Sequence, residues 1–182
     1  KWGDLGITGE WANKPISLYG RNATSGTYRY FKENALFGGD FKPTVKEQPG
    51  SSAVVNGVAN DRYGMGYSGI GSKTADVKAL ALDRGKGPVA AVPQNAYNST
   101  YPLARPLLLS INYKPGSELD PLRREFIRFV LSSDGQREII KAGYLPISAA
   151  LAEKQMAKVG LKGAESPEKN RAVSNSIIQA SK

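Results

Sequence analysis

Cysteine and histidine are both absent from the 182 residues of this chain. Without cysteine there can be no disulfide, no thiolate nucleophile and no zinc–thiolate site. Without histidine the chain lacks the usual general base near neutral pH, which excludes a Ser-His-Asp triad and an imidazole metal site. We expect no catalysis, no metal site and no cofactor. An enzyme such as a phosphatase is the alternative, which the lack of a base, of a metal cage and of an activated nucleophile argues against.

Long apolar runs are also missing from the sequence. No stretch approaches the roughly 18 apolar residues that a membrane-spanning helix requires. Hydrophobic residues make up 40% of the chain and charged residues 23%. This composition is typical of a globular protein with one large domain or two small ones.

Basic residues outnumber acidic ones by 25 to 16, which gives a formal net charge of +9. Such an excess indicates an anionic partner, namely nucleic acid, an anionic surface or a small anion, and the alternative is that it only serves solubility. The lysines and arginines are scattered, without a run of five or a basic stripe interleaved with aromatics. This pattern argues against nucleic acid as the partner.

Hydrophobic periodicity predicts strands that alternate with helices, and therefore an α/β fold. The predicted strands cover residues 15–19, 41–45, 64–68, 77–82 and 105–113. The predicted helices cover residues 27–35, 53–60, 120–142 with an interruption at 133–135, 149–159 and 168–180. Between residues 83 and 102 the abundance of Gly, Pro, Asn and Ser indicates a loop that contains one turn of helix.

The segment GRNATSGTYRYF, residues 20–31, joins the first predicted strand to the first predicted helix. A helix start can hold an anion, because its first N–H groups lack intrahelical partners and its dipole is positive there. Ser25 and Thr27 add hydroxyl donors, and Gly26 lets the backbone approach a ligand closely. The planar fork of Arg21 matches two oxygens of a tetrahedral oxyanion. The alternative is that the hydroxyls are ordinary caps and that Arg21 lies on the surface or pairs with a carboxylate.

A second motif, GYSGI over residues 66–70, resembles the nucleophile elbow G-x-S-x-G. Ile70 stands where the elbow requires Gly, and no histidine exists to activate the serine. We therefore predict that this stretch packs in the core and that Tyr67 has a structural role.

Several stretches together resemble the PstS-type phosphate-binding proteins that serve bacterial ABC importers. They follow one another in family order along nearly the whole chain. The stretches are WGDLG (2–6), GEWANKPISLYGRNATSGTYRYFKE (9–33), GSSAVVNGVANDRYGMGYSGIG (50–71), YPLARPLLLSINYKPG (101–116) and SSDGQREIIKAGYLPIS (132–148). The resemblance implies the α/β fold of a periplasmic-binding-protein lobe, with a mixed sheet flanked by helices and a C-terminal helical return segment of the other lobe.

In the family that this chain resembles, phosphate lies in a cleft between two lobes and is held by the motif R-x-D-G-S-G-T. Here the motif's ligands correspond to Arg21, Ser25, Gly26 and Thr27, which are the expected phosphate-binding residues. The motif's Asp, which commonly steadies the Arg, is Ala23 in this chain, and its first Gly is Thr24. The resemblance thus implies that Arg21 is freer or is held by a different carboxylate.

Members of that family carry roughly a further hundred residues before the position of Lys1, a domain's worth of chain. Residues 15–102 then correspond to the second lobe with the anion loop, and residues 103–182 to the return segment of an incomplete first lobe. We expect a fragment left by truncation or proteolysis, or else a chain completed by self-association or by a complementing chain. An exposed edge at Leu107-Leu108-Leu109 would favour such pairing.

The function that the resemblance implies is that of a non-catalytic solute-binding protein for inorganic phosphate. Its other partner would be an ABC permease in the membrane, and its location periplasmic or at the cell surface. The alternative is a surface adhesion or interaction protein that keeps the fold and binds anionic polymers. The basic net charge and the loss of the motif's Asp also fit that alternative.

Overall fold

A computed structural model describes residues 1–114 and 116–161. The predicted helix over residues 168–180 lies outside the described residues. The chain divides into two compact units, Lys1–Pro106 and a second unit that begins at Leu107. This division falls four residues after the predicted boundary at residue 102. The assignment of the two parts to two lobes stays a prediction.

The first unit contains a parallel sheet of three strands in the order β2-β1-β3. The strands are β1 (Ser17–Arg21), β2 (Lys46–Gln48) and β3 (Gly64–Gly66), and the helices are α1 (Gly26–Ala35), α2 (Ser51–Ala59) and α3 (Pro93–Tyr97). Short 3-10 turns cover Trp2–Leu5, Gly9–Trp11 and Ile70–Ser72. The alternation of strand and helix confirms the predicted α/β class, and β1 is the central strand.

Helix α2 covers one face of this sheet through small residues and valines. Val54 is the most deeply buried side chain of the helix, with 1% of its surface exposed. A Cβ on Gly57 would lie 2.5 Å from the Tyr19 ring, and a Cβ on Gly66 would lie 2.9 Å from Val54. The two glycines therefore allow the helix to approach β1 and β3 closely.

The opposite face of the sheet carries an aromatic cluster that includes two residues of α1. Phe31 stacks on Tyr67 with ring centroids 4.1 Å apart, and Tyr28 packs on Phe41 at 4.4 Å. A Cβ on Gly20 would lie 2.9 Å from the Tyr67 ring. Helices α1 and α2 thus lie on opposite faces, as two right-handed crossovers that run in opposite directions require.

The second unit contains α4 (Pro121–Leu131), α5 (Ser133–Lys141) and α6 (Ala149–Lys158). Its core joins α4 to α6 through Ile127 and Met156, together with Leu119 and Leu161. Asp120 caps α4 with its carboxylate, as the Asp-Pro pair predicted. The helix breaks at Ser132, which then caps α5, one residue before the predicted interruption at 133–135.

Three predicted strands are wrong. Residues 41–45 form no strand, 77–82 contribute only a single bridge between Leu82 and Val89, and 105–113 form no ladder with any described residue. The apolar run Leu107-Leu108-Leu109 is extended but exposed, with 85% of the Leu108 surface accessible. An extended segment forms a β-strand only when its backbone N–H and C=O groups bond to a neighbouring strand. None of the helices in the described ranges is long and apolar enough to cross a membrane.

Candidate functional site

The candidate site lies at the carboxyl edge of the parallel sheet, where β1 ends at Arg21. In the order β2-β1-β3 the chain leaves β1 toward β2, and later crosses to β3 on the other side. Open parallel sheets bind ligands in the crevice at such a switch point, outside the carboxyl ends of the strands. The topology therefore places Arg21 where a small ligand is expected.

The side chain of Arg21 contacts a hydroxyl oxygen rather than a carboxylate. Its Nη1 donates to Ser51 Oγ at 3.4 Å, while its Nε is buried and has no hydrogen-bond partner among the described residues. Within the same part of the chain, no carboxylate comes within 4 Å of this guanidinium. The replacement of the motif's Asp by Ala23 has thus left Arg21 without a counter-ion, which was one of the two expected outcomes.

Ser25 begins α1 as its N-cap and is the one polar residue classed as buried in the described ranges, with 8% of its surface exposed. Its Oγ accepts hydrogen bonds from the Thr27 amide at 3.1 Å and the Tyr28 amide at 3.4 Å. The Ser25 hydroxyl is therefore a helix cap, as one interpretation predicted, but the cap uses only its oxygen as an acceptor. The hydroxyl proton is still available to donate to an anion.

The amide of Gly26 is the N–H group that the cap leaves without a partner. The Arg29 amide donates to the Ser25 carbonyl at 3.2 Å, and the next two amides toward the helix start are taken by Ser25 Oγ. Gly26 itself is exposed, and no described residue accepts a hydrogen bond from its nitrogen. An open N–H at the positive end of a helix dipole is a donor for an anion.

The first turn of α2 lies at the same edge of the sheet. Gly50 precedes α2 and has no side chain to cap it. The first amides of α2 therefore donate to no capping side chain, unlike the amides of α1 that donate to Ser25. Ser51 accepts from Arg21, and the Ser51 carbonyl accepts a bond from Ser68 Oγ at 3.0 Å, just after β3. Two helix starts therefore lie at the carboxyl edge of the sheet, and the Arg21 guanidinium contacts the second of them.

Tyr67 connects this edge to the aromatic cluster. Its hydroxyl accepts the Arg21 N–H at 3.1 Å, so the backbone of Arg21 is fixed by a side chain that follows β3. Burial raises the pKa of the Tyr67 phenol above its ordinary value, and the phenol is neutral at physiological pH. The predicted structural role of Tyr67 is confirmed by its stack on Phe31. Core packing of the whole stretch 66–70 is wrong, because Gly66, Gly69 and Ile70 are exposed.

A groove of about 310 Å³ in the second unit offers no comparable chemistry. It is lined by groups of both signs, among which Arg123 pairs with Asp120 at 3.2 Å and also donates to the Asn112 carbonyl. Because these opposite charges pair with each other, the groove has no excess of either charge to attract a ligand. In the described part of the chain no acidic cluster is arranged to hold a metal ion.

Arg21, Ser25, Gly26 and Thr27 stay predicted phosphate ligands, and the residues that reach the same edge from elsewhere were not predicted as part of the site. Ser51, Tyr67 and Arg105 all approach this edge of the sheet from distant parts of the sequence. The only signal for Ser51 was its position just before the second predicted helix. For Arg105 the sequence carried no signal.

Comparison with known proteins places this architecture in a family. A family model described as the PBP superfamily domain matches residues 1–134. The chain belongs to this superfamily. The Phosphate-binding protein PstS of Pseudomonas aeruginosa PAO1 is 53% identical over 162 residues, which are 88% of this chain and 50% of that protein. Protein SphX of Synechocystis sp. PCC 6803 is 34% identical over 144 residues, which are 76% of this chain and 42% of that protein.

A solved structure agrees with this placement. A Clostridium perfringens protein, assigned provisionally as a phosphate ABC transporter substrate-binding protein and solved with bound phosphate, is 27% identical with a TM-score of 0.62. The match covers 81% of this chain and 56% of that one. The chain spans about half the length of the curated relatives that it matches.

Proposed function

We propose that this chain carries the anion-holding part of a solute-binding protein for inorganic phosphate. The protein binds phosphate without transforming it, feeds an ABC permease and works in the periplasm or at the cell surface. The observation that carries the proposal is the guanidinium of Arg21, which lies beside two helix starts at the carboxyl end of β1 with no carboxylate to neutralise it. A partly buried cation without a counter-ion calls for an anion.

The donors at the site suit a small tetrahedral anion. Arg21 offers a planar fork, the Gly26 amide an open N–H, and the Ser25 hydroxyl a proton that the cap does not use. Thr27 lies in the first turn of α1 and adds a second hydroxyl. Donors that approach from several directions bind all faces of a tetrahedral oxyanion, whereas a flat carboxylate would use only some of them.

The chemistry of the site is that of binding and not of turnover. No group beside Arg21 can serve as a base near neutral pH, because the hydroxyls of Ser25, Thr27 and Ser51 have no histidine to activate them. Two of the matched proteins are named as a phosphate-binding protein and a phosphate ABC transporter substrate-binding protein. Both lines support a receptor role for this chain.

The test is a titration of the ¹⁵N-labelled chain with inorganic phosphate, followed through backbone amide shifts. We expect saturable shifts at Gly26 and Thr27, and loss of binding in Arg21→Ala on the order of 2–5 kcal/mol, since it removes the charged partner of the anion. Arg62→Ala is the matched control. That arginine lies in the same unit, is exposed and pairs with Glu10 at 3.6 Å, so its loss should leave the shifts unchanged.

Two results would count against the proposal. Amide shifts that spread over the surface without saturating at Gly26 would show that phosphate does not bind at this site. Equal phosphate affinity in Arg21→Ala and the unmodified chain would show that the guanidinium is not a ligand. Binding of an anionic polymer that phosphate does not displace, with steep dependence on salt, would favour the interaction protein instead.

Self-association remains part of the proposal. The side chains of Leu107, Leu108 and Leu109 are exposed in an extended segment. An exposed apolar segment with unpaired backbone N–H and C=O groups can pair with another chain. Sedimentation of the chain at increasing concentration should show association that Leu108→Lys weakens. A monomer at all concentrations would refute it.

A further inference from the structure

A second guanidinium, that of Arg105, lies over the start of α1. Its Nη2 is 3.7 Å from the position that a Cβ on Gly26 would occupy. Arg105 belongs to the same unit as the site, and is separated from Gly26 by most of that unit's sequence. The proximity is therefore a product of the fold.

The side chain of Arg105 is held in this place by Tyr30. Its guanidinium carbon lies 4.8 Å from the centroid of the Tyr30 ring, within the range of a cation–π interaction. The Tyr30 hydroxyl donates to the Ala104 carbonyl at 3.1 Å, which fixes the backbone next to the arginine. Tyr30 follows Gly26 by four residues in α1, so the two lie on one face of the helix and Arg105 reaches from one toward the other.

The open amide of Gly26 and the guanidinium of Arg105 are close enough for one anion to bond both. The nitrogen of Gly26 is about 2.5 Å from its hypothetical Cβ, so Nη2 lies within about 6 Å of that nitrogen. Two N–H···O bonds of about 2.9 Å cover this distance through one oxygen, and two oxygens of a tetrahedral anion cover more.

Arg105 has no carboxylate within 4 Å among the residues that the structure describes. Arg62 gives the contrast, because it also stacks on aromatic rings, those of Trp11 and Tyr63, but pairs with Glu10. One of these stacked arginines is thus paired with a carboxylate and the other is not, and the unpaired one lies at the start of α1.

We propose that Arg105 is a second cationic ligand of the anion held by Arg21 and the start of α1, so that the site takes a tetrahedral oxyanion that carries two negative charges. The inference rests on the proposed function and adds the charge of the ligand to it. A doubly charged anion neutralises both guanidinium groups, whereas a singly charged one leaves one cation uncompensated at the positive end of a helix.

The experiment compares Arg105→Gln, which removes the charge and keeps a long polar side chain, with Arg105→Lys, which keeps the charge. Phosphate affinity of each labelled chain is measured from the Gly26 and Thr27 shifts at a pH where phosphate is mainly a dianion. We expect Arg105→Gln to weaken binding about tenfold, as for a lost hydrogen bond between charged groups, and Arg105→Lys to restore most of the loss. Arg62→Gln serves as the control and should match the unmodified chain.

Charge selection gives a readout that a purely structural role would not move. Competition with perchlorate, a tetrahedral anion of single charge, should show a preference for phosphate that Arg105→Gln reduces and Arg62→Gln leaves unchanged. The affinity of Arg105→Gln should also fall less steeply with salt, because one cation fewer takes part.

The outcomes separate the two proposals. If Arg105→Gln binds phosphate like Arg62→Gln while Arg21→Ala does not bind, the inference about Arg105 is overturned and the proposed function stands. If Arg105→Lys loses as much affinity as Arg105→Gln, the charge is not what matters, and the inference is again wrong. If the unmodified chain shows no saturable shift at Gly26, both proposals fall together.

Discussion

The Tyr67 hydroxyl lies 3.1 Å from the backbone nitrogen of Arg21 and accepts its N–H. Tyr67 also stacks on Phe31 of α1 at 4.1 Å. One side chain therefore connects the last residue of β1, the segment after β3 and the helix whose start forms the candidate site. The position of the arginine depends on aromatic packing on one face of the sheet.

This connection predicts the effect of Tyr67→Phe. The phenylalanine keeps the stack and leaves the Arg21 N–H without its acceptor, at a cost of about 1 kcal/mol in the free energy of unfolding. Phosphate affinity should fall as well, because Arg21 is less well placed. Urea unfolding and the amide titration measure the two effects.

The control for this variant is Tyr97→Phe. The Tyr97 hydroxyl makes no hydrogen bond to any described residue, although burial raises the pKa of that phenol too. Equal changes in the two variants would show that the hydroxyl of Tyr67 does not position Arg21.

Ser25 is predicted to have two roles that different substitutions separate. Ser25→Ala removes the cap and should cost about 1 kcal/mol of stability, together with phosphate affinity. Ser25→Asp can still accept from the Thr27 and Tyr28 amides, so stability should be retained. Its carboxylate would repel the anion, and phosphate binding should be lost.

Thermal unfolding and the phosphate titration test the two Ser25 variants side by side. The expected pattern is a stable Ser25→Asp chain that does not bind. A Ser25→Asp chain that binds as tightly as the unmodified one would show that the anion is not held at this helix start.

The parts of the site that could be predicted from sequence are local in the chain. Ser25 indicates a helix start, and Arg21 lies between a predicted strand and that start. The strand–loop–helix geometry therefore follows from propensity and capping. Ser51, Tyr67 and Arg105 come to the same place through strand order and helix packing. A single sequence does not contain those distances in any local pattern, which is why these residues were missed.

The wrong strands have a physical reason of the same kind. Residues 105–113 have the apolar run of a buried strand, and the periodicity is real, but in this structure no described strand lies beside them. Strand β2, in contrast, is the polar stretch Lys46–Gln48, which joins the sheet because β1 pairs with it in register. Pairing depends on a partner that the local sequence does not show.

Asp61 is expected to make stability sensitive to acid. Hydrogen bonding to Ser17 and to the Tyr63 amide, with help from Tyr19 and Lys46, holds the pKa of Asp61 below its ordinary value. A carboxylate whose folded-state pKa is depressed stabilises the fold above its unfolded pKa of 3.8, and this contribution is lost as the pH falls through the folded-state value.

Asp61→Asn should therefore lower stability at neutral pH and make the loss toward low pH shallower. Urea unfolding at a series of pH values measures both. Asp76→Asn, at an exposed position, provides the control and should leave the profile unchanged. An acid profile of Asp61→Asn that runs parallel to that of the unmodified chain would contradict the prediction.

Gly57 is expected to resist substitution in spite of its position in a helix. Alanine in place of a helical glycine gains about 1 kcal/mol in propensity. At this position the new methyl group would lie 2.5 Å from Cδ1 and 2.6 Å from Cε1 of Tyr19, in the middle of the ring rather than at its end. Because Tyr19 also donates to Asp61 at 3.0 Å, the ring cannot shift without loss of that bond.

The clash should exceed the gain in propensity, since overpacking of a core costs about 1–3 kcal/mol. We expect Gly57→Ala to be less stable than the unmodified chain in urea unfolding. Gly69→Ala is the matched control, because no atom lies within 4 Å of its hypothetical Cβ and its φ of −67° suits any residue. If Gly57→Ala were the more stable of the two, α2 would not approach Tyr19 and the central strand as closely as this packing requires.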